Sequence, residues 1–270
     1  MEAYTPQPLF EFATATRIIF GCGVLQQLPE LAAGMGRSVL LATGSRATTS
    51  DGLLAQLAAR GLQVELLQVH GEPTLSSVAA AAAHARAAKC DVVIGIGGGS
   101  VLDTAKAVAA LLTNSGDLLD YVEVAGGGRP LANPAVACIA VPTTAGTGAE
   151  VTRNSVMSVP AQNIKVSLRS AFLLPRVALV DPQLTLGLPP AITASTGMDA
   201  LTQLLEPYVS PRANPLTDAL VRMALPRRRA CRRSLQPAGC RWNFCRCMAS
   251  LLSAVSPQPR RTRAQPSAMW

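Results

Sequence analysis

The chain has 270 residues, 49% of them hydrophobic and only 15% charged, which is enough apolar material for a sizeable core and excludes a disordered, charge-rich chain. Its formal charge of +8 invites a nucleic-acid partner, but the excess is local. Residues 1–225 carry 14 basic and 16 acidic side chains, whereas residues 226–270 carry ten arginines and no acid. The excess lies wholly in a tail that reads as a shifted frame outside the fold, so no nucleic-acid partner is expected.

Residues 1–8 hold an acid and two prolines in place of a basic start and an apolar run, and no stretch approaches the roughly 20 apolar residues of a spanning helix. A cytoplasmic protein without a membrane partner is the expectation. Cys22, Cys90 and Cys138 lack paired spacing and are expected to be reduced, mostly buried thiols.

From about residue 17 to 188, short β-branched runs alternate with Ala- and Leu-rich runs, the pattern of βα units around a largely parallel sheet. Residues 39–43 (VLLAT) predict a buried strand, 52–60 a helix and 63–69 a second strand. Residues 76–88, dominated by alanine, predict a long helix. A third strand is expected over 91–96, a helix over 101–112, a fourth strand over 135–141 ended by Pro142, and a fifth over 177–180. Past Pro189, helical spacing over 191–206 and again from 215 to 225 predicts the opening of an all-helical second domain. The expected division is therefore an α/β dinucleotide-binding domain over 1–188, the start of a helical domain over 189–225, and an irregular Arg-, Cys- and Pro-rich tail over 226–270.

The sharpest local signal is DVVIGIGGGSVLDTAKAVA, where a strand runs into Gly97, Gly98, Gly99 and Ser100 and then into a helix. Glycines let the backbone approach an anion, and the helix start offers unpaired N–H groups and the positive end of a dipole. Ser100 is read as the N-cap and Asp103 as the acid of a capping box. The ligand group this implies is a pyrophosphate; a tight turn with no ligand is the alternative. The loop PTTAGTGAE follows the fourth strand and offers the hydroxyls of Thr143, Thr144 and Thr147 at the sheet edge where open α/β folds bind ligands, although a plain polar turn also fits. Asp199 and Gln203 stand four residues apart on one helix face, the spacing of two metal ligands, though Gln is a weak ligand and surface pairs at this spacing are common.

Together, GGGSVLDTAK, PTTAGTGAE and the stretch from Ala178 to Glu206, in this order and spacing, resemble the iron-containing alcohol dehydrogenases, relatives of glycerol dehydrogenase and maleylacetate reductase. The resemblance covers roughly residues 10 to 225. It implies a dehydroquinate synthase-like fold with an active site between a dinucleotide-binding domain and a helical domain. It also implies that Gly97, Gly98, Gly99 and Ser100, with Asp103, hold the pyrophosphate of NAD or NADP, that Thr143, Thr144 and Thr147 line its other side, and that Lys165 contacts the ribose region. Gly44 stands where members that prefer NAD often carry an Asp, and Arg46 follows it, which favours NADP. The implied reaction interconverts a small alcohol and an aldehyde or ketone by hydride transfer, with divalent iron or zinc polarising the oxygen. A homo-oligomer is compatible with all of this.

The sequence departs from the family at two places. Asp199 matches the Asp of the family's Asp-x-x-x-His metal segment, but Gln203 occupies the His position. The remaining histidines, His70 and His84, fall in the nucleotide-binding part. From Pro226 the sequence abruptly gains Arg, Cys and Trp and loses all acids, which reads as a shifted frame and an incomplete helical domain. Cys240, Cys245 and Cys247 lack the spacing of a zinc knuckle. The expectation is an impaired oxidoreductase of this family. A non-catalytic dinucleotide-binding remnant and a metal-independent reductase of the maleylacetate type are the alternatives.

Overall fold

The computed structural model describes residues 9–44, 51–211 and 213–231. In chain order the strands are β1 (Arg17–Phe20), β2 (Ser38–Gly44), β3 (Gln63–Val69), β4 (Val92–Gly97), β5 (Ala137–Pro142), β6 (Asn154–Val159), β7 (Ile164–Arg169) and β8 (Val177–Val180). The helices are α1 (Leu28–Ala33), α2 (Asp51–Ala59), α3 (Leu75–Ala87), α4 (Gly99–Thr113), α5 (Leu118–Tyr121), α6 (Pro190–Val209) and α7 (Pro215–Cys231).

Six strands pair in parallel in the order β1-β8-β5-β4-β2-β3, and β6 and β7 form a separate antiparallel hairpin. The central strands are buried on both faces, which is why they read as unbroken apolar runs. Side-chain alternation divides them between two cores. Leu40, Ala42 and Val93 pack under α3 and α4, while Val39, Leu41, Val92 and Ile94 pack with Leu28 of α1 and Leu53 and Leu57 of α2. From β2 the chain moves to β3 on one side and to β4 on the other. The order therefore reverses between β2 and β4, and the crevice at their carboxyl ends is where such sheets place ligands.

The five expected strands are present within a residue or two of their bounds, and three further strands appear. The strand β1 lies at the sheet edge beside β8, a partner 160 positions away in register, Arg17 opposite Val177. The hairpin β6–β7 was not among the expected strands, although its burial alternates, with Ser155, Met157, Val166 and Leu168 buried and the residues between them more exposed. The cap of α3 is a reciprocal one. Thr74 accepts from the Ser77 N–H and Ser77 returns a bond to the Thr74 N–H. Beyond the sheet, α6 and α7 pack through Ala200 and Leu204 against Val221 and Ala224.

Cys90 and Cys138 are free and buried, as expected. Cys22 is instead exposed, outside the core, and is disulfide-bonded rather than free. No described helix is long and apolar enough to cross a membrane. The tail residues Cys240, Cys245 and Cys247, and Arg46 after β2, lie outside the described residues.

Candidate functional site

The helix α4 starts directly at the carboxyl end of β4, and close packing dictates glycine there. A Cβ on Gly97 would come within 2.5 Å of Val101 Cγ2, and one on Gly95 within 2.8 Å of Ala105 Cβ. The N-cap is Gly98, in an extended conformation and without a side-chain bond. Ser100 is therefore already inside the first turn, and the capping box expected of Ser100 and Asp103 does not form. The helix thus starts two residues earlier than a cap at Ser100 would allow. Asp103 turns elsewhere: its carboxylate lies 3.0 Å from Lys106 Nζ and accepts the Val156 N–H at 3.1 Å. The Gly99 and Ser100 N–H groups precede the first helical bonds, which Val101 and Leu102 donate to the Gly98 carbonyl, and lie at the positive end of the helix dipole.

The loop after β5 closes over this helix start. The Thr143 N–H donates to the Gly97 carbonyl at 2.9 Å. Thr144 lies against Gly98 and Thr147 against Gly99, at 3.4 and 3.0 Å from where a Cβ would stand. On its far side, Gly146 approaches α6, where a Cβ would meet the Thr196 carbonyl at 2.7 Å and Asp199 Oδ2 at 3.1 Å. One loop thus touches both the glycine turn and the helix bearing Asp199.

Between these parts lies a cavity of about 520 Å³. Gly99, Ser100 and Asp103 line it from α4, Thr147 from the loop, Lys165 from β7, and Asp199, Gln203 and Glu206 from one face of α6. Gly97, Gly98, Thr143, Thr144 and Gly44 are not among the lining residues, and Gly44 at the end of β2 faces Val101, 3.5 Å from a built Cβ. Residues separated by a hundred positions are therefore brought to one cleft at the crevice the topology marks.

Several groups here were not legible in the sequence. Glu72, in the turn before α3, pairs with Lys165 at 2.6 Å across the cavity mouth, both side chains well exposed. Lys106 is fully buried under the loop. Glu150 is also buried, and loss of hydration pushes its carboxyl up to about 7, with its own backbone N–H and the Lys106 charge pulling the other way. A lone Glu at the end of PTTAGTGAE carries no sign of this until the fold covers it. Cys138 is held as an inert thiol, pushed up to about 12 by burial.

The donor set on α6 does not fit catalytic iron or zinc. Partial burial raises the Asp199 carboxyl above its usual range, and the hydrogen bond from Gln203 opposes that shift. The neighbour four residues on is thus a neutral carboxamide already engaged with the one carboxylate. Among the described residues no group of three or more His, Cys, Asp or Glu could hold a metal. His84 lies on α3, 3.5 Å from Glu65, and His70 follows β3; neither lines the cavity.

The sequence pattern of the iron-containing alcohol dehydrogenase family matches residues 15–182. The chain belongs to that family. It is 39% identical over 237 residues to the long-chain-alcohol dehydrogenase 1 of Geobacillus thermodenitrificans, a match covering 83% of this chain and 58% of the relative. It is 42% identical over 171 residues to the 4-hydroxybutyrate dehydrogenase of Cupriavidus necator, covering 63% and 44%. Among solved structures, a 1,3-propanediol oxidoreductase superposes with a TM-score of 0.82 at 32% identity, covering 92% of this chain and 66% of that one. A sulfoacetaldehyde reductase from Bifidobacterium kashiwanohense, solved in complex with NAD+, superposes with a TM-score of 0.81 at 30% identity, covering 92% and 67%. This family member spans about half the length of the curated relatives it matches.

Proposed function

We propose that the cavity between α4 and α6 binds NAD or NADP and serves an oxidoreductase acting on a small alcohol or its aldehyde or ketone. The observation that carries this is the convergence of the α4 start, the loop 142–150, Lys165 and Asp199 on one 520 Å³ cavity. Gly99 and Ser100 line that cavity at the start of α4, where first-turn N–H groups suit the close approach of an anionic group. When bound, the nicotinamide dinucleotide supplies or accepts the hydride. In this reading Gly98, Gly99 and Ser100 hold its pyrophosphate, Thr143, Thr144 and Thr147 orient it from the loop, and Lys165 meets its ribose once released from Glu72.

A second reading is favoured by Gln203. With Asp199 engaged by a carboxamide, the α6 side of the cleft lacks the donors for Lewis-acid assistance by iron or zinc. The chain then binds dinucleotide and turns over alcohols poorly or not at all, or reduces a substrate such as maleylacetate without metal. Titrating the protein with NADH and NADPH, and assaying alcohol and maleylacetate turnover with and without chelator, tests both readings. Saturable binding of a dinucleotide supports the first reading. Chelator-sensitive alcohol turnover sinks the second, and absence of binding sinks both.

A further inference from the structure

We propose that Lys106, together with Asp103, is a positioning pair that fixes segment 149–156 against α4 where both line the cofactor cavity. The proposal rests on the dinucleotide reading of that cavity. Lys106 is 1% exposed, a charge taken out of water, and its three N–H bonds meet four oxygens. Nζ lies 2.8 Å from the Ala149 carbonyl, 3.1 Å from Thr152 Oγ1 and 3.0 Å from Asp103 Oδ1, and it also donates to the Asn154 carbonyl.

The placement of these partners gives the pair its role. Ala149, Thr152 and Asn154 line the cavity from one segment, and Gly99, Ser100 and Asp103 line it from the adjoining α4. The Ala149 and Asn154 carbonyls point at α4, and the ammonium is the donor that meets both. Asp103 completes the tie, since its carbonyl accepts from Ser155 Oγ at 2.8 Å while its carboxylate accepts the Val156 N–H. One buried ion pair thus fastens the segment 149–156 to the helix whose first turn faces the phosphate space. An uncharged side chain of the same length leaves Asp103 without its counter-charge and the two carbonyls without that donor, so the segment shifts to find other partners. Shifts of about 1 Å at a site that must orient a ligand are enough to cost large factors in function.

The experiment measures NADH and NADPH binding by fluorescence, per folded molecule and well below each unfolding midpoint. It compares the intact chain, Gly99→Val, Lys106→Met and Asp103→Asn, with hydrogen exchange recorded on each. The Gly99→Val control puts a side chain against Thr147, and abolished binding there ties the signal to this cavity. With that control in place, Lys106→Met is expected to weaken binding by about tenfold or more, and Asp103→Asn by less, with faster exchange confined to 149–156. Wild-type affinity in folded Lys106→Met overturns the positioning role and leaves the dinucleotide reading standing, since a merely structural lysine lowers stability without changing the affinity of the folded fraction. If Lys106→Met does not fold, Asp103→Asn decides by the same criteria. Equal binding by the intact chain and Gly99→Val, or binding by neither, overturns the dinucleotide reading and the proposal with it.

Discussion

The two sides of the cleft are built to different standards. On the α4 side each element is locked by a contact that tolerates no change: glycine where a Cβ would strike Val101 or Ala105, a loop pinned to the Gly97 carbonyl, and a buried lysine with four oxygen partners. On the α6 side, Asp199, Gln203 and Glu206 stand on a helix held by a small cluster, with one carboxylate engaged by a neutral amide. On the proposed reading, a site assembled from both holds a cofactor firmly and polarises an oxygen weakly. Binding and turnover are therefore separable in this chain.

Four changes probe that contrast. Gly97→Val should have the largest effect, about 3 kcal/mol or more of lost stability in chemical denaturation, because the new side chain must displace Val101 in a packed core. An effect under about 1 kcal/mol would show that the α4 side is softer than its contacts imply.

Glu150 gives the next effect, and it depends on pH. Its folded value of about 7 lies above the ordinary 4.5, so the folded protein holds this proton more tightly than the unfolded chain. The stabilisation by the neutral acid is complete below pH 4.5 and is lost as pH rises through about 7. Relative to Glu150→Gln, the protein should therefore lose up to roughly 3 kcal/mol between those limits. Parallel stability–pH curves for the two proteins would contradict the buried assignment.

On the α6 side, Gln203→His restores an i, i+4 pair of metal donors. The variant should retain more zinc after dialysis than the parent while its dinucleotide affinity stays within about twofold, since the change lies outside the phosphate-facing turn. A large loss of affinity would mean that the two sides are not independent. The smallest effect is expected from Glu72→Gln. Its pair with Lys165 is more than half exposed and so contributes under about 1 kcal/mol to stability. Freeing Lys165 should nonetheless tighten dinucleotide binding measurably in a fluorescence titration.

Much of this was legible in the sequence, for identifiable reasons. The central strands are buried on both faces and the glycine turn is contiguous, so β2, β4, β5 and the turn into α4 were read from local pattern alone, with the helix beginning two residues earlier than expected. The residues Gly99, Ser100, Thr147, Lys165 and Asp199 were named before the fold brought them to one cavity. Long-range pairing was not legible. The edge strand β1 depends on β8, 160 positions away, whereas the local hairpin β6–β7, which alternates along IKVSLR, went unread. The role of Asp103 was misread because a capping box and an i, i+3 partner to Lys106 share the same local spacing, and only the position of Val156 separates them. Glu150, Glu72 and Lys106 were missed because their chemistry comes from what covers or faces them.

Calorimetric titration of the purified chain with NADH, paired with metal analysis of the same sample, bears on both sides of the cleft at once. Saturable dinucleotide binding by protein containing no more than traces of iron or zinc is the expected result. Stoichiometric iron or zinc, or no dinucleotide binding at all, would contradict it.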